Sequence, residues 1–197
     1  MMYAKTIDVY YNELASSEIV RVIQFSLGDA FNLYCLDRDD TQREKELARE
    51  ADFIIAGWRP LGAQTINDAV QLKGIHKLGS GIEKIDVKTA AEKGIPITAA
   101  TGSNAPQVAE HTIMLMLAVL RRLCTVDAAL RRGQWNKDAL RTTLRSLEGK
   151  RVGIVGMGKV GQSVASRLIP FNCSLSFFDV STNTDQGARE HRLQFLG

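Results

Sequence analysis

The stretch from Arg151 to Asp179 constrains this chain more than any other. Val152, Ile154 and Val155 form a short apolar run that leads into Gly156, Gly158 and Gly161. A helical pattern with Val160, Val164 and Leu168 on one face follows, until Pro170 stops it. This order predicts a strand, a tight turn and a helix. Gly156 permits the sharp turn out of the strand, Gly158 lets a pyrophosphate come against bare backbone, and Gly161 lets the helix lie close to the sheet. The anion then meets the unpaired N–H groups of the helix start. A second run, Cys173 to Phe178, alternates through Leu175 and Phe177 and ends at Asp179, eighteen residues past Gly161. A carboxylate at that place can accept both ribose hydroxyls of an adenosine half and would repel the phosphate of NADP, so NAD is the expected cofactor.

The rest of the chain bounds the class. With 197 residues, 45% of them apolar, it can build one large or two small globular domains. A net charge of +3 with no basic block argues against a nucleic-acid partner. Cys35, Cys124 and Cys173 have neither metal spacing nor an even disulfide set, which suits reduced thiols and a cytoplasmic location. The N-terminus lacks the apolar core of a signal peptide.

Between Thr6 and Thr98 two periods alternate. Apolar runs at Ile7 to Tyr10, Phe31 to Leu36, Phe53 to Ala56, Ile75 to Leu78 and Ile95 to Ile97 read as strands, with helical patterns near 17–27, 41–51, 65–72 and 86–93. Asp86 is the expected N-cap of the last helix, and Gly94 the residue just past its end. Strands alternating with helices imply a parallel sheet covered on both faces. The loop from Leu78 to Asp86 leaves the carboxyl end of a strand, where open parallel sheets bind ligands. Gly79, Ser80 and Gly81 either expose backbone N–H groups to an anion such as a carboxylate or form an ordinary turn.

Downstream, Pro106 and Glu110 suit a helix's first turn, and eight apolar residues run from Ile113 to Leu120. That run is too short to cross a bilayer, so its helix is expected to be buried between domains or subunits. His76, His111 and His191 have no evident carboxylate partner in the sequence. Trp135 is expected to pack. Arg59, after the third strand, either reaches a phosphate or second carboxylate of a substrate or faces solvent.

Taken in order, Gly79 to Asp86, Asn104, Val108 to Thr112, Arg132 to Trp135, Leu147 to Gly161 and Asp179 resemble the NAD-dependent D-2-hydroxyacid dehydrogenase family. That family includes phosphoglycerate dehydrogenases, hydroxypyruvate reductases, D-lactate dehydrogenases and formate dehydrogenases. The resemblance covers almost the whole chain. It implies two doubly wound α/β domains, a flavodoxin-like substrate domain over residues 1–101 and a linker helix with an incomplete Rossmann domain over 102–197. It places Ser80 beside the nicotinamide half, the Gly81 and Ile82 amides on the substrate carboxylate, and Asn104 near substrate and nicotinamide. It brings Thr112 toward the cofactor, sets the Lys159 and Val160 backbone on the pyrophosphate, and puts Asp179 on the adenosine ribose. It further implies a site in the cleft between the domains and a homodimer formed through the helix around Val108 to Leu123.

The resemblance also implies an absence. The family's carboxylate-clamping arginine, its proton-transferring histidine and the acid beside that histidine fall in a later part of the cofactor domain than this chain reaches. The expectation is therefore the N-terminal portion of an oxidoreductase acting on small 2-hydroxy or 2-oxo acids, inactive alone and with no catalytic residue of its own. The alternative is a non-catalytic NAD-binding or protein-interaction module of the same fold.

Overall fold

The computed structural model describes residues 6–135, 137–180 and 194–195. The chain divides into two compact units, Met1–Ser103 and Asn104–Gly197.

In the first unit, β1 (Ile7–Leu14), β2 (Phe31–Leu36), β3 (Phe53–Ala56), β4 (Gly74–Lys77) and β5 (Ile97–Ala99) form one parallel sheet in the order β2-β1-β3-β4-β5. The helices α1 (Ser17–Leu27), α2 (Thr41–Glu50), α3 (Ala63–Asp68) and α4 (Val87–Glu92) alternate with the strands. Caps written in the sequence set their starts: Ser16, Asp40 and Asp86 each accept a first-turn amide. Gly94, with φ +68, follows α4 as expected. The strand expected at Ile95 begins two residues later, because the Ile95 amide still donates to Ala90 and Pro96 has no N–H to give. The third helix also lies earlier than the 65–72 pattern suggested, since Gly62 opens it and the Ala69 amide closes it on Thr65.

Right-handed crossovers send α1 to one side of this sheet and α2, α3 and α4 to the other, because the strand order reverses after β2. The core forms on the second side, where Tyr10, Ile54, Leu61, Ile66, Ile75 and Ala90 are each no more than 2% exposed. The expectation of a sheet covered on both faces holds only in part. Among the described residues, Phe53, His76 and Thr98 are exposed on the α1 side, above an apolar groove of about 410 Å³.

In the second unit, β6 (Arg151–Val155), β7 (Ser174–Phe178) and β8 (Gln194–Phe195) run parallel in that order. The helix α8 (Lys159–Leu168) connects β6 to the 3-10 turn Ile169–Phe171 that holds Pro170. The long helix α5 (Ala105–Leu120) packs Ala109, Ile113, Met116 and Leu117 against Val164 and Leu168. Its outer face is uncovered within the single chain: Met114, Leu115 and Val119 are 51%, 49% and 75% exposed. Within the described residues only one face of α5 has a partner.

Two further helices, α6 (Leu123–Arg131) and α7 (Lys137–Arg141), occupy the polar stretch. Arg122 takes φ 51 and separates α6 from α5, a left-handed corner that a non-glycine residue does not advertise. Trp135, expected to pack, is 77% exposed at the rim of a groove with Val126, Leu130 and Leu140. Glu110 lies beyond the first turn of α5 and pairs instead with Arg167 at 3.4 Å.

Candidate cofactor and substrate site

The glycine-rich turn is built by backbone demands that only its sequence meets. Gly156 leaves β6 with φ +96, and its amide donates to Phe178, the last residue of the neighbouring strand, at 2.8 Å. A Cβ on Gly161 would collide with the Gly156 carbonyl oxygen, so α8 approaches the turn as closely as bare Cα permits. At Gly158 the position of a Cβ meets nothing within 4 Å. That is open space against backbone, of the kind a pyrophosphate would fill. Lys159 and Val160 follow as the first helical residues, whose amides have no intrahelical acceptor.

Asp179 comes one residue after β7, and its carboxylate accepts the Met157 amide at 2.6 Å. The Met157 side chain is fully buried against Phe177 and Ile154. Its carbonyl accepts from the Gln162 side-chain amide at 3.0 Å. Gly156, Gly158, Lys159, Val160, Gly161 and Asp179 therefore converge on one turn. Sequence reading passed over Met157 and Gln162, although a large apolar residue between two turn glycines is itself a signal of burial.

Thr112 lies on α5 and donates its hydroxyl to the Val108 carbonyl at 2.8 Å. Asn104 is the exposed residue before α5 and caps it through its backbone, without a side-chain bond.

In the first unit, the loop after β4 passes through Gly79 at φ +121, and the Gly79 carbonyl accepts from Ala100 at 2.9 Å. Ser80 accepts the Gly102 amide at 3.3 Å. The loop closes where Leu61 and Ile85 bridge, with Leu61 donating to Lys84 and Asp86 to Leu61. Among the described residues, the Gly81 and Ile82 amides donate no hydrogen bond within the chain. The Glu83 carboxylate folds over Gly81.

Arg59 is held by two carboxylates of its own unit. It donates to Asp39 at 2.5 Å and Glu44 at 2.7 Å, and those two bonds hold its guanidinium charged far beyond the ordinary arginine range. Next to it, the Trp58 ring is 78% exposed, with the ammonium groups of Lys77 and Lys84 each 5.6 Å from its centroid. Lys77 is buried and donates to the Gly57 carbonyl, while Glu13 accepts the Trp58 amide at 2.5 Å. His76 bonds Thr98 at 2.9 Å, and His111 is exposed on α5. His191 lies outside the described residues.

A parallel strand, a positive-φ glycine, an open backbone cradle at a helix start and an acid after the next strand define a dinucleotide-binding α/β protein. Comparison with known proteins narrows the class. Residues 113–196 match the model of the D-isomer specific 2-hydroxyacid dehydrogenase NAD-binding domain. The chain is 38% identical over 145 residues to the hydroxypyruvate reductase of Thermotoga maritima, covering 73% of this chain and 46% of that protein. It is 37% identical over 163 residues to the hydroxyphenylpyruvate reductase of Plectranthus scutellarioides, covering 81% and 51%. The NAD-dependent formate dehydrogenase of Staphylococcus aureus, solved in complex with NAD, superposes with a TM-score of 0.77 at 27% identity, over 98% of this chain and 60% of that one. The chain thus spans about half the length of these relatives. These matches support the D-2-hydroxyacid dehydrogenase family for this chain, with NAD as the cofactor of the matched domain.

Proposed function

We propose that the whole protein transfers hydride between NAD and C2 of a small D-2-hydroxy or 2-oxo acid. The observation that carries this reading is the Gly156-to-Asp179 turn, an open backbone cradle at Gly158 with a carboxylate beside it. In this reading residues 1–101 form a flavodoxin-like substrate domain, and 102–197 supply the linker helix and the first part of a Rossmann domain. The Lys159 and Val160 amides meet the pyrophosphate, Asp179 takes the adenosine ribose, and Thr112 approaches the cofactor. Ser80 stands by the nicotinamide, which supplies the hydride chemistry when NAD is bound. The Gly81 and Ile82 amides hold the substrate carboxylate, with Asn104 near the reacting end. These residues bind and orient, and orientation alone is a large part of such a reaction's acceleration.

Proton transfer to the C2 oxygen needs a histidine poised by a carboxylate. Among the described residues neither His76 nor His111 has a carboxylate within ion-pair distance, so the 197-residue chain is proposed to bind cofactor without turning over. The same observation favours a second reading, a non-catalytic NAD-binding or interaction module of this fold. NADH titration followed by nicotinamide fluorescence, then assays on a panel of 2-oxo acids, separates the two. Reduction by a protein that also carries the family's arginine, acid and histidine supports the enzyme. Binding without reduction in that longer protein supports the module, turnover by the 197-residue chain sinks its inactivity, and no NADH binding sinks both readings.

We further propose a homodimer through the helix around Val108 to Leu123, supported by the outer apolar face of α5, and a cytoplasmic location, supported by three unpaired thiols. Among the described residues no helix is long and apolar enough to cross a membrane. Sedimentation of Val119→Glu checks the dimer: an unchanged sedimentation coefficient would remove α5 from any interface.

A further inference from the structure

The glycine turn contains a peptide unit free to flip unless something holds it. The Met157–Gly158 bond joins a fully buried side chain to a glycine, and glycine accepts either orientation of the peptide before it at little steric cost. Because the unit is planar and trans, the Met157 carbonyl and the Gly158 N–H point in opposite directions and turn together. One orientation presents an N–H to the cradle over Gly158. The other presents a carbonyl oxygen, which repels an anion.

Gln162 breaks that tie. Its side-chain amide reaches from α8 to the Met157 carbonyl at 3.0 Å, while its own backbone amide closes the first turn of the helix on Gly158 at 2.9 Å. The preceding peptide unit is pinned separately, with the Met157 N–H on Asp179 at 2.6 Å. The buried Met157 side chain is anchored against Phe177 and Ile154. We infer that Gln162 is a positioning residue for the cofactor's diphosphate: it locks the Met157–Gly158 peptide with the N–H outward, so the turn is anion-ready before any ligand arrives. The inference rests on the reading of this turn as the dinucleotide site. Gln162 itself touches no phosphate.

The test compares two ligands on the 197-residue chain by calorimetry, ADP and adenosine, which share base and ribose and differ in the diphosphate. Gln162→Met keeps the length of the side chain and removes the donor. Losing one neutral hydrogen bond's worth of preorganisation lowers ADP affinity about three- to tenfold and leaves adenosine affinity unchanged. The Gly158 amide resonance should also move in the ligand-free variant. Gln162→Asn, one methylene too short, repeats the pattern if the first variant folds poorly. ADP affinity unchanged in a folded variant overturns the latch and leaves the dinucleotide site intact. An equal fall for ADP and adenosine shows a general structural role and also overturns it. A wild-type chain that binds neither ligand removes the site itself.

Discussion

No side chain fits at Gly161, because its Cβ would fall on the carbonyl oxygen of Gly156. The two glycines are therefore one device: the first turns the backbone and the second lets α8 rest on that turn. Gly158, between them, has extended backbone and open space at its Cβ position, so nothing in the fold bars a side chain there.

This contrast separates stability from binding. Gly161→Ala should destabilise the second unit by roughly 1–3 kcal/mol, as overpacking does, and lower its urea midpoint. Gly158→Ala should leave the unfolding free energy within about 0.5 kcal/mol of wild type and weaken NADH binding. Equal stability losses for the two would mean that α8 does not approach the turn as described.

Asp179 accepts the Met157 amide and is proposed to accept the ribose as well. Asp179→Asn removes a charged acceptor, and bonds to charged groups are worth about 1.5–3 kcal/mol, so NAD affinity should fall by at least about tenfold. Discrimination against NADP should weaken alongside. Unchanged cofactor preference in competition binding would take Asp179 off the ribose.

Arg59 ties the loop after β3 to the start of α2 through Glu44, a pair only 23% and 16% exposed. Glu44→Gln should cost about 1–3 kcal/mol in chemical denaturation, because it breaks a charge-assisted bond in a partly desolvated place. The exposed Arg43–Glu46 pair is the control, and Glu46→Gln should cost less than about 1 kcal/mol.

Asp86 is held below the usual carboxylate range, first by the Thr89 amide and then by the Thr89 hydroxyl. A depressed folded-state pKa means the unfolded chain takes up the proton first as pH falls. The stabilisation is thus complete above the ordinary carboxylate value of about 4 and is lost below it, as pH drops through the folded value. Thermal melts of wild type and Asp86→Asn should differ most near neutrality and converge in acid. A gap that stays constant down to the acid end would show that the cap does not depend on the charge.

Much of this architecture was legible because it rests on local demands. A positive φ, a close helix approach and an acid at the end of a strand each select a residue type at a fixed spacing, and Gly156, Gly161 and Asp179 carry them. Asp86 and Gly94 marked their helix for the same reason. What stayed hidden depended on partners distant in sequence or on residues that do not announce their conformation. Arg59 finds Asp39 and Glu44 across 20 and 15 residues, and nothing local to it excludes solvent or substrate. Arg122 takes a left-handed conformation without being glycine, so the division of α5 from α6 left no mark. The all-apolar helix predicted burial correctly on one face, whereas the exposed outer face depends on which surfaces this chain supplies.

The open side of the first sheet makes β3 and β4 chemically two-sided. Ile54 and Ile75 point into the core, while Phe53 and His76 point to the groove. A slip of one residue would exchange those rows and drive the imidazole of His76 among Tyr10, Leu61 and Ile66. Single-residue deletions just before Phe53 or Gly74 should therefore be far less tolerated than insertions of the same size in the exposed turn around Trp58. In that sense His76 acts as a reading frame for the sheet, admitting one alignment of its central strands and rejecting its neighbours.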